Sequence, residues 1–151
     1  MKLAEALLER ADLKKKLLLL NSRIINNARM QEGCEPTESE EKLLKQLDEL
    51  LSRLEYLIKH INHTNEMTVS KTGEKISELI ARKDVLAMKL KTTANLVEAG
   101  GDLVNRMTRS EIKILPTFDV PMMQKKVDKI SAEIRKVDTA IQELNWTTEL
   151  L

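Results

Sequence analysis

The chain has 151 residues, within the usual size of one domain and long enough to bury a core. Its 25 Lys and Arg against 24 Asp and Glu leave a formal charge of +1, which argues against a nucleic-acid binder, since those carry a basic excess. Only Tyr56, Phe118 and Trp146 are aromatic; a core of Leu, Ile, Val, Ala and Met suits helix packing rather than a sandwich or barrel, and single-stranded nucleic acid finds no stacking platform.

The first helix is expected from about Leu3 to about Gln31. Its seam is Leu3, Ala6, Arg10, Leu13, Leu17, Leu20, Ile24, Asn27 and Gln31, a seven-residue repeat with three polar members. Leu7, Ala11, Leu18 and Ile25 widen the apolar face, as in a helix that meets more than one neighbour. Lys14, Lys15 and Lys16 read as a solvated face. Leu17 to Leu20 is too short for a signal-peptide core or a bilayer span, and no other segment approaches transmembrane length, so no membrane is expected as a partner.

Gly33 and Pro36 break the pattern, Gly33 as a left-handed cap. Thr37-Glu38-Ser39-Glu40 fits a capping box for the next helix. Cys34 lies in this connection beside Glu35, a setting that does not activate a thiol. As the sole cysteine it forms no intrachain disulfide, and a reducing cytoplasm is its natural compartment.

The second helix is expected from about Glu38 to about Glu66, with Leu43, Leu47, Leu50, Leu54, Leu57 and Ile61 as seam. A flanking line, Leu44, Leu51, Ile58, Asn62 and Asn65, begins apolar and ends polar. The short connection implies an antiparallel hairpin. His60 and His63 are expected to face solvent, and no further His accompanies them as a metal ligand. Thr68-Val69 and Lys75-Ile76 are expected to pair as a small β-ribbon around Gly73. Ser77 then caps a third helix that ends near Ala99, before Gly100-Gly101, with Arg82, Lys83 and Asp84 interrupting its seam of Leu79, Leu86, Leu90 and Val97. Residues 102–120 are the least regular, with a short strand near Ile112 to Leu115.

The last helix has the most regular seam: Met123, Val127, Ile130, Ile134, Val137, Ile141 and Leu144, spaced 4-3-4-3-4-3. Asp119 is its N-cap and Pro121 sits in its first turn. The line beside the seam, Ser131, Arg135, Asp138, Gln142 and Asn145, is wholly polar. Together the elements predict an all-α fold: one domain over 1–151, an elongated antiparallel four-helix, coiled-coil-like bundle with a small β-ribbon or short strands in its connections.

Several stretches belong together: Leu3-Ala4-Glu5-Ala6-Leu7 with Arg10-Ala11-Asp12-Leu13, Gln31-Glu32-Gly33 with Pro36, Ile61-Asn62-His63-Thr64-Asn65, Ala81-Arg82-Lys83-Asp84-Val85-Leu86, Ser110-Glu111-Ile112-Lys113, and Ile141-Gln142-Glu143-Leu144-Asn145-Trp146. Over essentially the whole chain they resemble a family of small bacterial proteins labelled septicolysin. The resemblance implies a helical fold and a bacterial source and supplies no catalytic residue. The label names a pore-forming haemolysin; the chain lacks the length and the tryptophan-rich membrane tip of the large cholesterol-binding cytolysins.

Up-down connectivity would gather Glu5, Arg10, Asn62, Asn65, Arg82, Asp84, Asp138, Gln142 and Asn145 at one end of the bundle, beside Trp146. Buried polar groups need partners, so a network is expected there, with Arg82 or Arg10 to Asp84 or Asp138 as its charged elements. Its bland role is to fix register; its functional role is a site for a small polar or anionic ligand. No catalytic, cofactor or metal motif stands out. The sequence favours a structural or interaction protein that assembles with itself, as a homodimer or larger oligomer, because helices one and two carry more apolar residues than one face each can hide. The alternative is a ligand-binding protein or enzyme using the polar cluster.

Overall fold

A computed structural model of the chain describes residues 1–101 and 114–151. The described residues contain four helices: α1 (Leu3–Asn26), α2 (Glu40–Met67), α3 (Ile76–Gly101) and α4 (Val120–Thr147). Among the described residues there is no sheet; an isolated antiparallel bridge joins Lys2 to Glu149, and Val69 and Lys75 are also bridge residues. The expected all-α class is what is found. The strand expected near Ile112 to Leu115 begins outside the described residues; Ile114 and Leu115 themselves are exposed and not in a strand. The chain divides into two compact units, Met1–Val69 with Leu144–Leu151, and Ser70–Glu143.

In the first unit α1 and α2 form an antiparallel hairpin, with Glu9 beside Arg53 and Asn27 beside Glu38. α1 stops at Asn26 rather than continuing to Gln31, because Asn27 leaves the helix to serve the connection. Its side-chain amide donates to the Glu38 carbonyl at 2.6 Å and its side-chain oxygen accepts from the Glu38 N–H at 3.1 Å. The Arg23 guanidinium grips the Glu38 carboxylate from the same side. This clamp takes the place of the expected capping box. α2 starts at Glu40 with Ser39 as N-cap and no side-chain cap bond, which leaves Thr37 outside the helix. Gly33 does take a left-handed φ of 84°, but within the connection and not at the helix end.

The core of this unit is tightest where the two ends of the chain meet. Leu3, Ala6, Leu57 and Ile61 are buried there. The Leu3 N–H, one of the orphan donors of a first helical turn, donates to the Thr148 carbonyl at 3.0 Å, and the Leu150 N–H donates to the Met1 carbonyl at 2.9 Å. Thr64, fully buried, donates its hydroxyl to the His60 carbonyl at 2.8 Å and accepts from the Leu151 N–H at 2.9 Å. His63 is exposed as expected, while His60 is half-buried: its Nδ1 meets the Leu151 carbonyl and its ring packs on Tyr56. Toward the far end of the hairpin the buried set thins to Leu13, Leu20 and Leu43.

The expected β-ribbon does not form: Val69 and Lys75 are single bridge residues and neither lies in a strand. Residues 70–74 instead form a tight turn: the Ser70 N–H donates to the Glu74 carbonyl at 2.7 Å and the Gly73 N–H to the Ser70 carbonyl at 3.0 Å. Gly73, at φ 87°, supplies the left-handed step. The Ser70 hydroxyl accepts from the Glu74 N–H at 3.2 Å, so local side-chain bonds use the backbone groups a ribbon would need. α3 follows at once. Its cap is Lys75, not Ser77: the Glu78 carboxylate reaches back to the Lys75 N–H at 2.8 Å and the Leu79 N–H donates to the Lys75 carbonyl at 3.0 Å.

α3 and α4 run antiparallel, with Arg82 beside Glu133 and Gly100 beside Phe118. A Cβ on Gly100 would stand 2.4 Å from Phe118 Cζ, so glycine lets the ring lie against the helix. Ile76, Leu79, Ile130, Val137 and Ile141 form the core. α4 begins as expected: the Asp119 carboxylate accepts from the Met122 N–H at 2.9 Å, with Pro121 in the first turn.

The clamp yields a stability prediction. Asn27→Ala strips both partners from the backbone of Glu38, and should lower unfolding free energy by about 1–3 kcal/mol. Urea denaturation followed by circular dichroism checks this; an unchanged midpoint would mean water replaces the amide without loss.

Candidate functional site

Each helix of the α1/α2 hairpin carries a second apolar column besides the one it buries. On α1 it is Ala11, Leu18 and Ile25, and on α2 it is Leu44, Leu51 and Ile58, all at seven-residue spacing. Leu18 is 70% exposed and Ile25 62%, while Leu44, Leu51 and Ile58 range from 38 to 42%. At 3.6 residues per turn, both columns fall on the same side of the hairpin. A column of acids, Glu41, Asp48 and Glu55, runs beside the aliphatic column of α2, also every seven residues; Lys14 and Lys15 border that of α1. The other side of the hairpin is a groove of about 480 Å³ floored by Leu13, Leu20 and Leu50 and rimmed by Lys16, Arg23, Glu49 and Arg53.

The two arginines on that groove side are already paired, Arg53 with Glu9 and Arg23 with Glu38. Arg53 holds Glu9 by two hydrogen bonds, Nε to Oε1 at 2.7 Å and a terminal nitrogen to Oε2 at 2.9 Å, and its guanidinium lies 5.1 Å from the centre of the Tyr56 ring. The hydrogen bond from Arg53 keeps the Glu9 carboxyl below its ordinary pKa. Arg23 does the same to Glu38, and Lys2, joined by the Met1 ammonium, to Glu149.

In the second unit Arg82 is shared between Glu74 at 3.0 Å and Glu133 at 3.2 Å, and Lys83 donates to Asp138 at 2.8 Å. Farther along the same helix pair lies an open cleft of about 440 Å³. Met123 and Ile130 form its apolar lining, with Lys89 and Thr93 on the α3 wall and Lys126, Lys129 and Glu133 on the α4 wall. A neighbouring hollow of about 420 Å³, lined by Asp119, Met122 and Lys125, shares Lys126 and Lys129 with it.

The predicted polar cluster divides between the units. In the first, Glu5 accepts from the Lys2 N–H at 2.7 Å and so works as a helix cap. Arg10 is half-buried and forms no ion pair among the described residues, Asn62 is exposed, Asn65 is half-buried, Asn145 is buried at 7% and Trp146 is 58% exposed. In the second, Arg82, Asp84 and Gln142 are exposed and Asp138 is half-buried. The expected pairing of Arg82 or Arg10 with Asp84 or Asp138 is replaced: Arg82 takes Glu74 and Glu133, Lys83 takes Asp138, and exposed Asp84 has no partner among the described residues. No group of three or more His, Cys, Asp or Glu is placed to hold a metal among the described residues. Cys34 is an exposed free thiol. No described helix is long and apolar enough to cross a membrane. The lysine cleft was not foreseen; Lys125-Lys126 and Lys129 stand beside Met122-Met123 in the sequence, but Lys89 lies on another helix.

Residues 10–150 match the model of a family described as a family of unknown function, DUF6847. The chain belongs to this family. It is also similar to the crystal structure of a functionally unknown conserved protein from Corynebacterium diphtheriae, at 35% sequence identity and a TM-score of 0.92, covering 100% of this chain and 99% of that one. No curated protein matches the sequence. The family and the neighbour are both described as of unknown function, and neither description uses the septicolysin label.

Two predictions follow from the charged groups. A carboxylate depressed in the folded state stabilises the fold above its unfolded pKa, and the stabilisation is lost as pH falls through the folded value. Glu9, Glu38 and Glu149 are depressed, so the thermal midpoint should hold near neutrality and fall in acid. The Glu9→Gln/Glu38→Gln variant should start lower at pH 7 and lose less on acidification; parallel curves would show that these pairs do not set the acid limb. Asp84→Ala, at an exposed position, should change stability by less than about 0.5 kcal/mol; a larger loss in a urea titration would mean that Asp84 holds a partner in solution.

Proposed function

We propose that the protein is a self-associating helical protein with a structural or interaction role, and that the paired aliphatic columns of α1 and α2 are its docking surface for a second copy. The observation that carries this reading is the exposure of Leu18, Ile25, Leu44, Leu51 and Ile58 on one side of the hairpin. An extended apolar surface rimmed by charge usually marks an interface, and two-fold pairing is the commonest closed solution.

The bordering charges favour one arrangement. Glu9 is level with Arg53 and Asn27 with Glu38, so Lys15 is level with Asp48. A two-fold axis parallel to the helices sets α1 of each copy against α2 of its partner, with lysines facing the Glu41–Asp48–Glu55 column. An axis across the helices would set α1 against α1 and α2 against α2, like charge against like. Charges beside an apolar seam choose partner and orientation in this way. The product is a four-helix bundle made from two hairpins, in keeping with a protein of the reducing cytoplasm.

Sedimentation equilibrium at micromolar concentration should find a dimer or a larger even-numbered species. Leu51→Glu should yield monomer with its helical spectrum intact. Asp48→Lys should weaken association and Lys15→Glu/Asp48→Lys should recover it. A wild-type monomer that persists as concentration rises defeats the reading.

A further inference from the structure

The cleft between α3 and α4 belongs to the second unit alone. Two cations of these helices are neutralised: Arg82 by Glu74 and Glu133, Lys83 by Asp138. Lys89, Lys125, Lys126 and Lys129 are not; among the described residues none has an ion-pair partner. Of the two acids that line the cleft and its neighbouring hollow, Glu133 is paired with Arg82, and Asp119 caps α4 through the Met122 N–H in the hollow rather than in the cleft. Lys89 approaches from α3 and Lys126 and Lys129 from α4, so ammonium groups border the cleft from both walls. Several like charges gathered without a counter-charge repel one another, and an anion between them removes that cost. Between the lysines the lining turns apolar at Met123 and Ile130, and Met122 continues that character into the neighbouring hollow. The space, about 440 Å³, falls in the range of small-molecule sites, which combine apolar lining with a few convergent polar groups.

We propose that this cleft binds a small anionic amphiphile, its phosphate or carboxylate head held by Lys89, Lys126 and Lys129 and its short alkyl chain laid along Met123 and Ile130. The ammonium groups act as point charges and accept either head. The alkyl chain covers thioether and aliphatic surface that is otherwise wet, and methionine adapts to chains of different shape.

Isothermal titration calorimetry of the full chain tests this with decyl phosphate and decanoate below their micellar concentrations, and with inorganic phosphate and 1-decanol as half-ligands. Saturable binding of at least one ten-carbon anion is expected, at least tenfold tighter than either half-ligand. Lys126→Gln/Lys129→Gln should weaken it at least tenfold, Lys126→Arg/Lys129→Arg should retain it, and Lys42→Gln/Lys45→Gln, with the same loss of charge on α2, should leave it unchanged. The Met123 methyl resonance should shift on titration of the wild type. The proposal is overturned if neither anion binds, if the two Gln variants bind alike, or if inorganic phosphate binds as tightly as the amphiphiles. It is equally overturned if only phosphatidylglycerol vesicles bind, which would make the lysines a membrane-facing patch, or if Lys126→Gln/Lys129→Gln alters the sedimenting mass, which would assign them to a contact between copies.

Discussion

A pair of helices can hide one stripe from each, and both helices of the first unit carry two. Burial of the second stripe needs a further layer. Near Leu3, Leu57 and Ile61 the returning chain end supplies that layer, and side chains there are buried. Beyond Leu13 no such cover exists within the unit, and the aliphatic columns stay open. The location of the densest core, the groove on one side and the exposed columns on the other all follow from this shortage of cover.

The polar contacts are distributed accordingly. Where the hairpin lacks a hydrophobic layer, ion pairs and amide bonds between α1 and α2 hold its register: Arg53 with Glu9, and Asn27 and Arg23 with Glu38. All are at least partly in solvent, and such pairs contribute little to net stability. Their geometric role is larger. They hold the two helices at one level, and so hold the two columns of each side in step.

The helices were legible in the sequence because their apolar residues keep the 4-3 repeat through Leu43 to Ile61 and Met123 to Leu144. Asp119 was legible as a cap because an isolated Asp before Pro121 has little else to do. The other ends were misread where several groups compete for one backbone donor. Thr37 and Ser77 have the right side chains, yet Asn27 and Glu78 reach those places from elsewhere. The polar cluster was only partly legible. Asn145 is buried as its place beside the seam suggests, but Asp84 sits on a helix whose buried residues are few, Ile76 and Leu79, so a seam position there does not imply burial. The partners of Arg82 lie in a turn and on another helix, a pairing no local spacing encodes.

The columns of α2 hold to a single period: Glu41, Asp48 and Glu55 for the acids, Leu44, Leu51 and Ile58 for the aliphatics. Deleting seven residues from this helix would shorten both columns without mixing them. Deleting one would rotate everything beyond it by about 100° and carry the later aliphatic members out of line with the earlier ones. Length in this hairpin is therefore free to drift between relatives in steps of two turns, matched on α1, while phase is not, and an alignment gap inside α2 that is not a multiple of seven would mark a relative with a different face.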